Sequence, residues 1–74
     1  MTLSDTPVGG AVRIRRLCGE PSLRERLAEL GLTPGETVRL LRRAPLGDPL
    51  EFLVRGYRLA VRGDEAACVE TEPA

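Results

Sequence analysis

Seventy-four residues make one domain with a small core. Eleven cations, every one an arginine, balance eleven acids, so the net charge is zero. That balance argues against a general nucleic-acid binder, which needs excess positive charge to displace counterions. Phe52 and Tyr57 are the only aromatic residues, too few for a base-stacking surface or for the usual groove for proline-rich peptides. Histidine is absent, which removes the commonest general base and a common metal ligand. The first ten residues show no basic start and no apolar h-region, and no apolar run approaches the ~20 residues that span a bilayer. A soluble cytoplasmic protein with reduced thiols is therefore expected.

Residues 1–10 read as a loose lead-in, since Pro7, Gly9 and Gly10 are turn formers. Val12-Arg13-Ile14-Arg15 alternates with period two, predicting a strand with Val12 and Ile14 inward. Arg16-Leu17 breaks the alternation, which marks a bulge or the strand end. Pro21 to Leu32 reads as a short helix and its ending. Ser22 with Glu25 has capping-box spacing, and Leu23, Leu27 and Leu30 form one apolar stripe. Gly31 suits a left-handed ending, with Leu32 packing back on the last turn.

Thr33-Pro34-Gly35-Glu36 predicts a type II turn. Val38 and Leu40 then alternate with Arg39 in a second strand running toward Arg43. Ala44-Pro45-Leu46-Gly47-Asp48-Pro49 interrupts the alternation. Leu50, Phe52 and Val54 face inward in a third strand, Gly56 permits a tight turn, and Tyr57, Leu59 and Val61 continue in a fourth. Gly63 to Ala66 reads as one helical turn, Ala67 to Thr71 as a closing strand, and Glu72-Pro73-Ala74 as a tail. Five strands, an early helix and tight turns predict a mainly β fold, a small bent antiparallel barrel with a helical insertion after the first strand. One domain over residues 1–74 is expected, with loose ends at about 1–6 and 72–74.

The 44–49 loop is not a phosphate cradle. It has one glycine, no lysine and no following helix, and both prolines lack the amide that such a cradle needs. It reads as a rigid hairpin connection in which Asp48 can bond nearby amides. Its apolar tip, Leu46, has no inward role, and a stiff apolar tip suits docking because little ordering entropy is lost on binding. Cys18 ends the first strand and Cys68 begins the last, so the two sulfurs are expected to be near each other. With Glu20 they are weak candidate metal ligands, although no Cys-x-x-Cys or histidine spacing supports a site. Asp64, Glu65, Glu70 and Glu72 read as solvated acids rather than a catalytic pair. No hydroxyl or thiol has a histidine to activate it, so no catalytic constellation and no enzyme are expected.

Three segments in order carry a resemblance. They are Leu27-x-x-Leu30-Gly31-Leu32-Thr33-Pro34-Gly35, the Ala44–Pro49 loop, and Gly56-Tyr57-x-Leu59-Ala60-Val61-Arg62. Together they resemble the ferrous iron transport protein A (FeoA) family, over roughly residues 3–71. The resemblance implies an SH3-like barrel and a small cytoplasmic partner of the membrane ferrous-iron permease FeoB, a GTP-hydrolysing transporter, reached at the inner membrane face through that partner; no cofactor is expected. On that reading the expected contact residues are Leu30, Leu32 and Pro34 at the helix end, and Pro45, Leu46, Gly47, Asp48 and Pro49 at the loop tip. Two other readings are carried beside it. One is a metal-sensing module binding iron or zinc, related to the C-terminal barrel of metal-dependent repressors. The other is a self-associating domain, a dimer or trimer.

Overall fold

A computed structural model describes residues 1–74. The elements in chain order are a 3-10 turn at Leu3–Asp5, β1 (Ala11–Leu17), α1 (Pro21–Glu29), β2 (Thr37–Arg43), β3 (Leu50–Val54), β4 (Tyr57–Val61), α2 (Gly63–Ala66) and β5 (Val69–Pro73). The five strands form one antiparallel sheet in the order β4-β3-β2-β1-β5. The first and last strands therefore lie side by side.

Two register shifts bend the sheet, one between Ile14 and Arg16 and one between Leu40 and Arg42. An extra residue on one strand kinks that strand and increases its twist. The break at Arg16 is thus a bulge, and β1 runs on to Leu17. The sheet curls around one cluster built from alternate residues: Val12, Ile14, Val38, Leu40, Leu50, Phe52, Val54, Val61 and Val69, joined by Leu3, Leu27, Leu32 and Ala66. Hydrogen bonding does not close the ring, because β4 pairs with β3 alone. No helix is long and apolar enough to cross a membrane.

Helix α1 starts differently from the expected capping box. Its N-cap is Glu20, with no side-chain cap bond, and Pro21 takes the first turn. A proline there loses nothing by lacking an amide hydrogen, and its fixed φ suits the helix. Ser22 therefore sits inside the first turn and cannot cap it. The other end is as expected. Gly31 has φ +100, its amide bonds the Ala28 carbonyl (3.0 Å), and the Leu32 amide bonds the Leu27 carbonyl (3.0 Å). That is a Schellman ending, with the two fully buried leucines Leu27 and Leu32 at its hydrophobic contact.

The lead-in is not loose. Leu3 and Thr6 are fully buried, the Thr71 amide bonds the Met1 carbonyl (2.8 Å), and Thr2 bridges Glu70. The Arg43 guanidinium donates to the Ser4 and Thr6 carbonyls and ties this segment to the end of β2. At the other terminus, Glu72 and Pro73 belong to β5 rather than to a tail. The period-two reading missed the lead-in because one leucine in a polar stretch carries no periodicity.

Candidate docking surfaces

The candidate contact residues fall at opposite ends of β2. Leu30 and Pro34 flank the end of α1 and precede Thr37, whereas residues 45–49 follow Arg43. Seven strand residues at about 3.3 Å each separate the two patches by about 20 Å.

At the helix end, the expected group splits. Leu30 is 36% exposed and Pro34 is exposed, but Leu32 is fully buried in the core. Leu32 is therefore a packing residue and not a contact. Gly35, at φ +91, and the Glu36 amide bonding the Thr33 carbonyl (3.1 Å) make the type II turn. Tyr57 adds a feature that sequence reasoning missed: its hydroxyl donates to the Leu30 carbonyl and clamps the helix end to β4. The Arg55–Glu36 pair (3.0 Å) ties the β3–β4 turn to the same region.

The second patch is the loop between β2 and β3. The Gly47 amide bonds the Ala44 carbonyl (2.7 Å), closing a turn over Pro45 and Leu46, and the Ala44 amide bonds the Pro49 carbonyl (3.0 Å). Gly47 has φ +88, and the Asp48-Pro49 peptide is cis. Leu46 projects at 97% exposure. Asp48 reaches further than expected, accepting a bond of 2.7 Å from the Gly63 amide at the start of α2. A shallow depression of about 260 Å³ lies at this corner, lined by Asp48, Pro49, Ala60 and Arg62. Turn chemistry marks Gly47 in the sequence; no local signal links Asp48 to Gly63.

The cysteines are adjacent but do not converge on an ion. Cys18 lies just past β1 and Cys68 just before β5, and the Cys18 amide bonds the Cys68 carbonyl (2.7 Å). The Cys18 thiol donates to Glu70 (3.0 Å), while the Cys68 thiol faces the Asp64 carbonyl (3.6 Å). Glu70 also accepts from Arg16 at 2.8 Å. The hydrogen bond to Glu70, followed by partial burial, raises the Cys18 pKa; the bonds from Cys18 and Arg16 lower that of Glu70. Glu20 is exposed, and no group of three or more potential ligands is assembled anywhere in the chain. These residues do not fit a bound metal.

A five-stranded antiparallel sheet, bent by two bulges, with a helix inserted between its first two strands and exposed connecting loops, defines a small SH3-like β module. Comparison with solved structures gives the same class. The chain superposes on the FeoA protein of Chlorobium tepidum with a TM-score of 0.91 at 37% identity, over 99% of this chain and 70% of that one. It superposes on the zinc complex of Stenotrophomonas maltophilia FeoA, a prokaryotic SH3 domain protein, with a TM-score of 0.85 at 33% identity, over 97% and 89% of the two chains.

The FeoA domain model matches residues 1–73, so the chain belongs to the FeoA family of ferrous iron transport proteins. It is also 33% identical over 72 residues to the Fe(2+) transport protein A/Fe(2+) transporter FeoB fusion protein of Porphyromonas gingivalis, covering 97% of this chain but only 8% of that protein. The fold extends to T. acidophilum IdeR, at 20% identity with a TM-score of 0.86, over all of this chain and 34% of that one; this likeness is one of fold alone.

Proposed function

We propose that this chain is a cytoplasmic accessory protein of ferrous iron uptake that acts by docking on the membrane permease FeoB. One observation carries the reading: in the Porphyromonas gingivalis relative, the A protein and FeoB are a single polypeptide. Fusion into one polypeptide raises the effective concentration of one module at the other, to the order of millimolar across a short flexible connection, which serves two parts that work in contact. The module acts by binding rather than by catalysis, and the absence of any histidine accords with that.

Leu46 is the leading contact. It is the most exposed large apolar side chain of the chain, and it sits on a loop braced by two internal hydrogen bonds and the Asp48 anchor. Binding through such a tip costs little ordering entropy. The flanking Pro45, Gly47, Asp48 and Pro49 form its frame, and Leu30 with Pro34 is the separate second patch. The metal-sensing alternative finds no assembled ligand set.

Co-purification of the full-length permease with Leu46→Arg and with Leu30→Arg tests the assignment. Leu46→Arg is expected to weaken capture at least tenfold while thermal unfolding stays unchanged. Undiminished capture by both folded variants would falsify the site. Sedimentation of the free protein at several concentrations separates this reading from self-association through the same tip.

A further inference from the structure

The two edges of the sheet are treated differently. The β5 edge is covered by the N-terminal segment, through the Thr71–Met1 hydrogen bond and the Thr2–Glu70 bridge. The β4 edge has no such cover, since β4 pairs with β3 only. Arg55 and Gly56, at φ 51 and 84, form a two-residue hairpin turn between Val54 and Tyr57. In such a hairpin the flanking pair exchanges hydrogen bonds, and alternate pairs beyond it do not. By that alternation Arg58 and Ala60 turn their backbone amides and carbonyls away from β3, toward the open edge, and neither residue bonds elsewhere.

The side chains along this edge differ by face. On the outer face Arg58 lies opposite Leu53, and Arg39 lies opposite Leu53 from the other side, so two arginines flank a leucine that is 37% exposed. Arg58 forms no ion pair, and Arg39 is bonded only to the Gly9 carbonyl. On the core face Tyr57 is 43% exposed and Leu59 is only partly buried. The edge thus offers unpaired backbone groups, the free cationic side chain of Arg58 on one face and apolar surface on the other.

We infer that β4 is a docking edge for an extended segment of another protein in which acidic and apolar residues alternate. Such a segment adds a sixth strand by bonding the Arg58 and Ala60 backbone groups. Its period of two places a carboxylate opposite Arg58 on the outer face and apolar side chains against Tyr57 and Leu59. A second copy of this chain is a poor occupant: β4 carries no carboxylate, so antiparallel β4–β4 pairing brings two Arg58 side chains onto one face with no acid of either β4 to neutralise them. An anionic membrane is also disfavoured, since a bilayer offers no partner for the edge amides and carbonyls. Ala60 shares a depression with Asp48 and Pro49 of the loop, so the two readings are separated by their variants: Leu46→Arg tests the tip and Arg58→Glu tests the edge.

The probe is a fluorescein-labelled nonapeptide of alternating Glu and Val, with an alternating Lys and Val peptide as the control. Fluorescence anisotropy of the intact protein is expected to show binding of the Glu peptide and at least tenfold weaker binding of the Lys peptide. Arg58→Glu, at an exposed side chain, is expected to lose at least tenfold in affinity for the Glu peptide and leave the fold intact. NMR-detected hydrogen exchange at the Arg58 and Ala60 amides is expected to slow in the complex. The assignment is overturned by no binding at about 1 mM peptide, by equal binding of the two peptides, or by binding that leaves both amides exchanging freely. Binding to phosphatidylserine vesicles without binding to the Glu peptide overturns it too.

Discussion

Asp48, at the base of the loop between β2 and β3, accepts a 2.7 Å hydrogen bond from the amide of Gly63, fifteen positions later at the start of α2. One carboxylate thereby anchors the Leu46 tip and satisfies an amide at a helix start, where a negative charge is favourable. Asp48→Ala is expected to cost about 1 kcal/mol, as a typical hydrogen bond or cap does. For a domain of this size that lowers Tm by about 4–8 °C. Thermal unfolding followed by circular dichroism checks it; an unchanged Tm would show that the contact contributes nothing.

Gly31 couples the Schellman ending to Tyr57. A Cβ there would lie 2.6 Å from the Tyr57 hydroxyl, and φ is +100. At Gly35, φ is +91 with open space around it. Gly35→Ala therefore carries backbone strain alone, about 1 kcal/mol, whereas Gly31→Ala adds displacement of Tyr57 from the Leu30 carbonyl and should cost about 2–3 kcal/mol. The excess should shrink in a Tyr57→Phe background. Urea melts of the single and double variants measure this coupling.

Leu32 distinguishes core from contact. Leu32→Ala is expected to destabilise by about 2–5 kcal/mol, as for other fully buried leucines. Leu46→Ala, at an almost fully exposed position, should fall within about 0.5 kcal/mol of the parent. Equal stabilities for the two variants would contradict the packing described.

The Arg16–Glu70–Cys18 cluster predicts a pH window. The Glu70 pKa is lowered, so its contribution is present above the ordinary carboxylate value and is lost as pH falls through the folded value. The Cys18 pKa is raised, so its contribution is present below the ordinary thiol value of about 8.5 and is lost as pH rises through the folded value. The stability difference between the parent and Cys18→Ala should be flat from about pH 5 to 8 and shrink on either side. Iodoacetamide should alkylate Cys18 faster in Glu70→Gln than in the parent at pH 8, because removing the carboxylate acceptor lowers the thiol pKa. Equal rates would remove the hydrogen bond from the account.

Local chemistry explains which parts were legible beforehand. The alternation of Leu50, Phe52 and Val54 located β3 and its inner face, since a strand's period is two. Gly31 and Leu32 located the end of α1, because only a left-handed residue allows that ending. The α1 start was misread because Pro21 and Ser22 both carry N-terminal signals, and the proline prevailed at the first position. The β5 boundaries shifted by two residues because Ala67 and Cys68 finish the α2 turn, where the Cys68 amide bonds the Glu65 carbonyl.

The sequence by itself determined the inner faces of the strands, the turn glycines and the family motifs, because each depends on residues within a few positions of one another. Only the tertiary structure decided that Leu32 is core, that Leu3 is buried, and that the helix-end and loop-tip patches lie at opposite ends of β2. It also decided that the N-terminal segment covers β5 and leaves β4 open. Those outcomes depend on which distant segments meet around a small core. A residue's solvent exposure is a property of that packing and not of its neighbours in the chain.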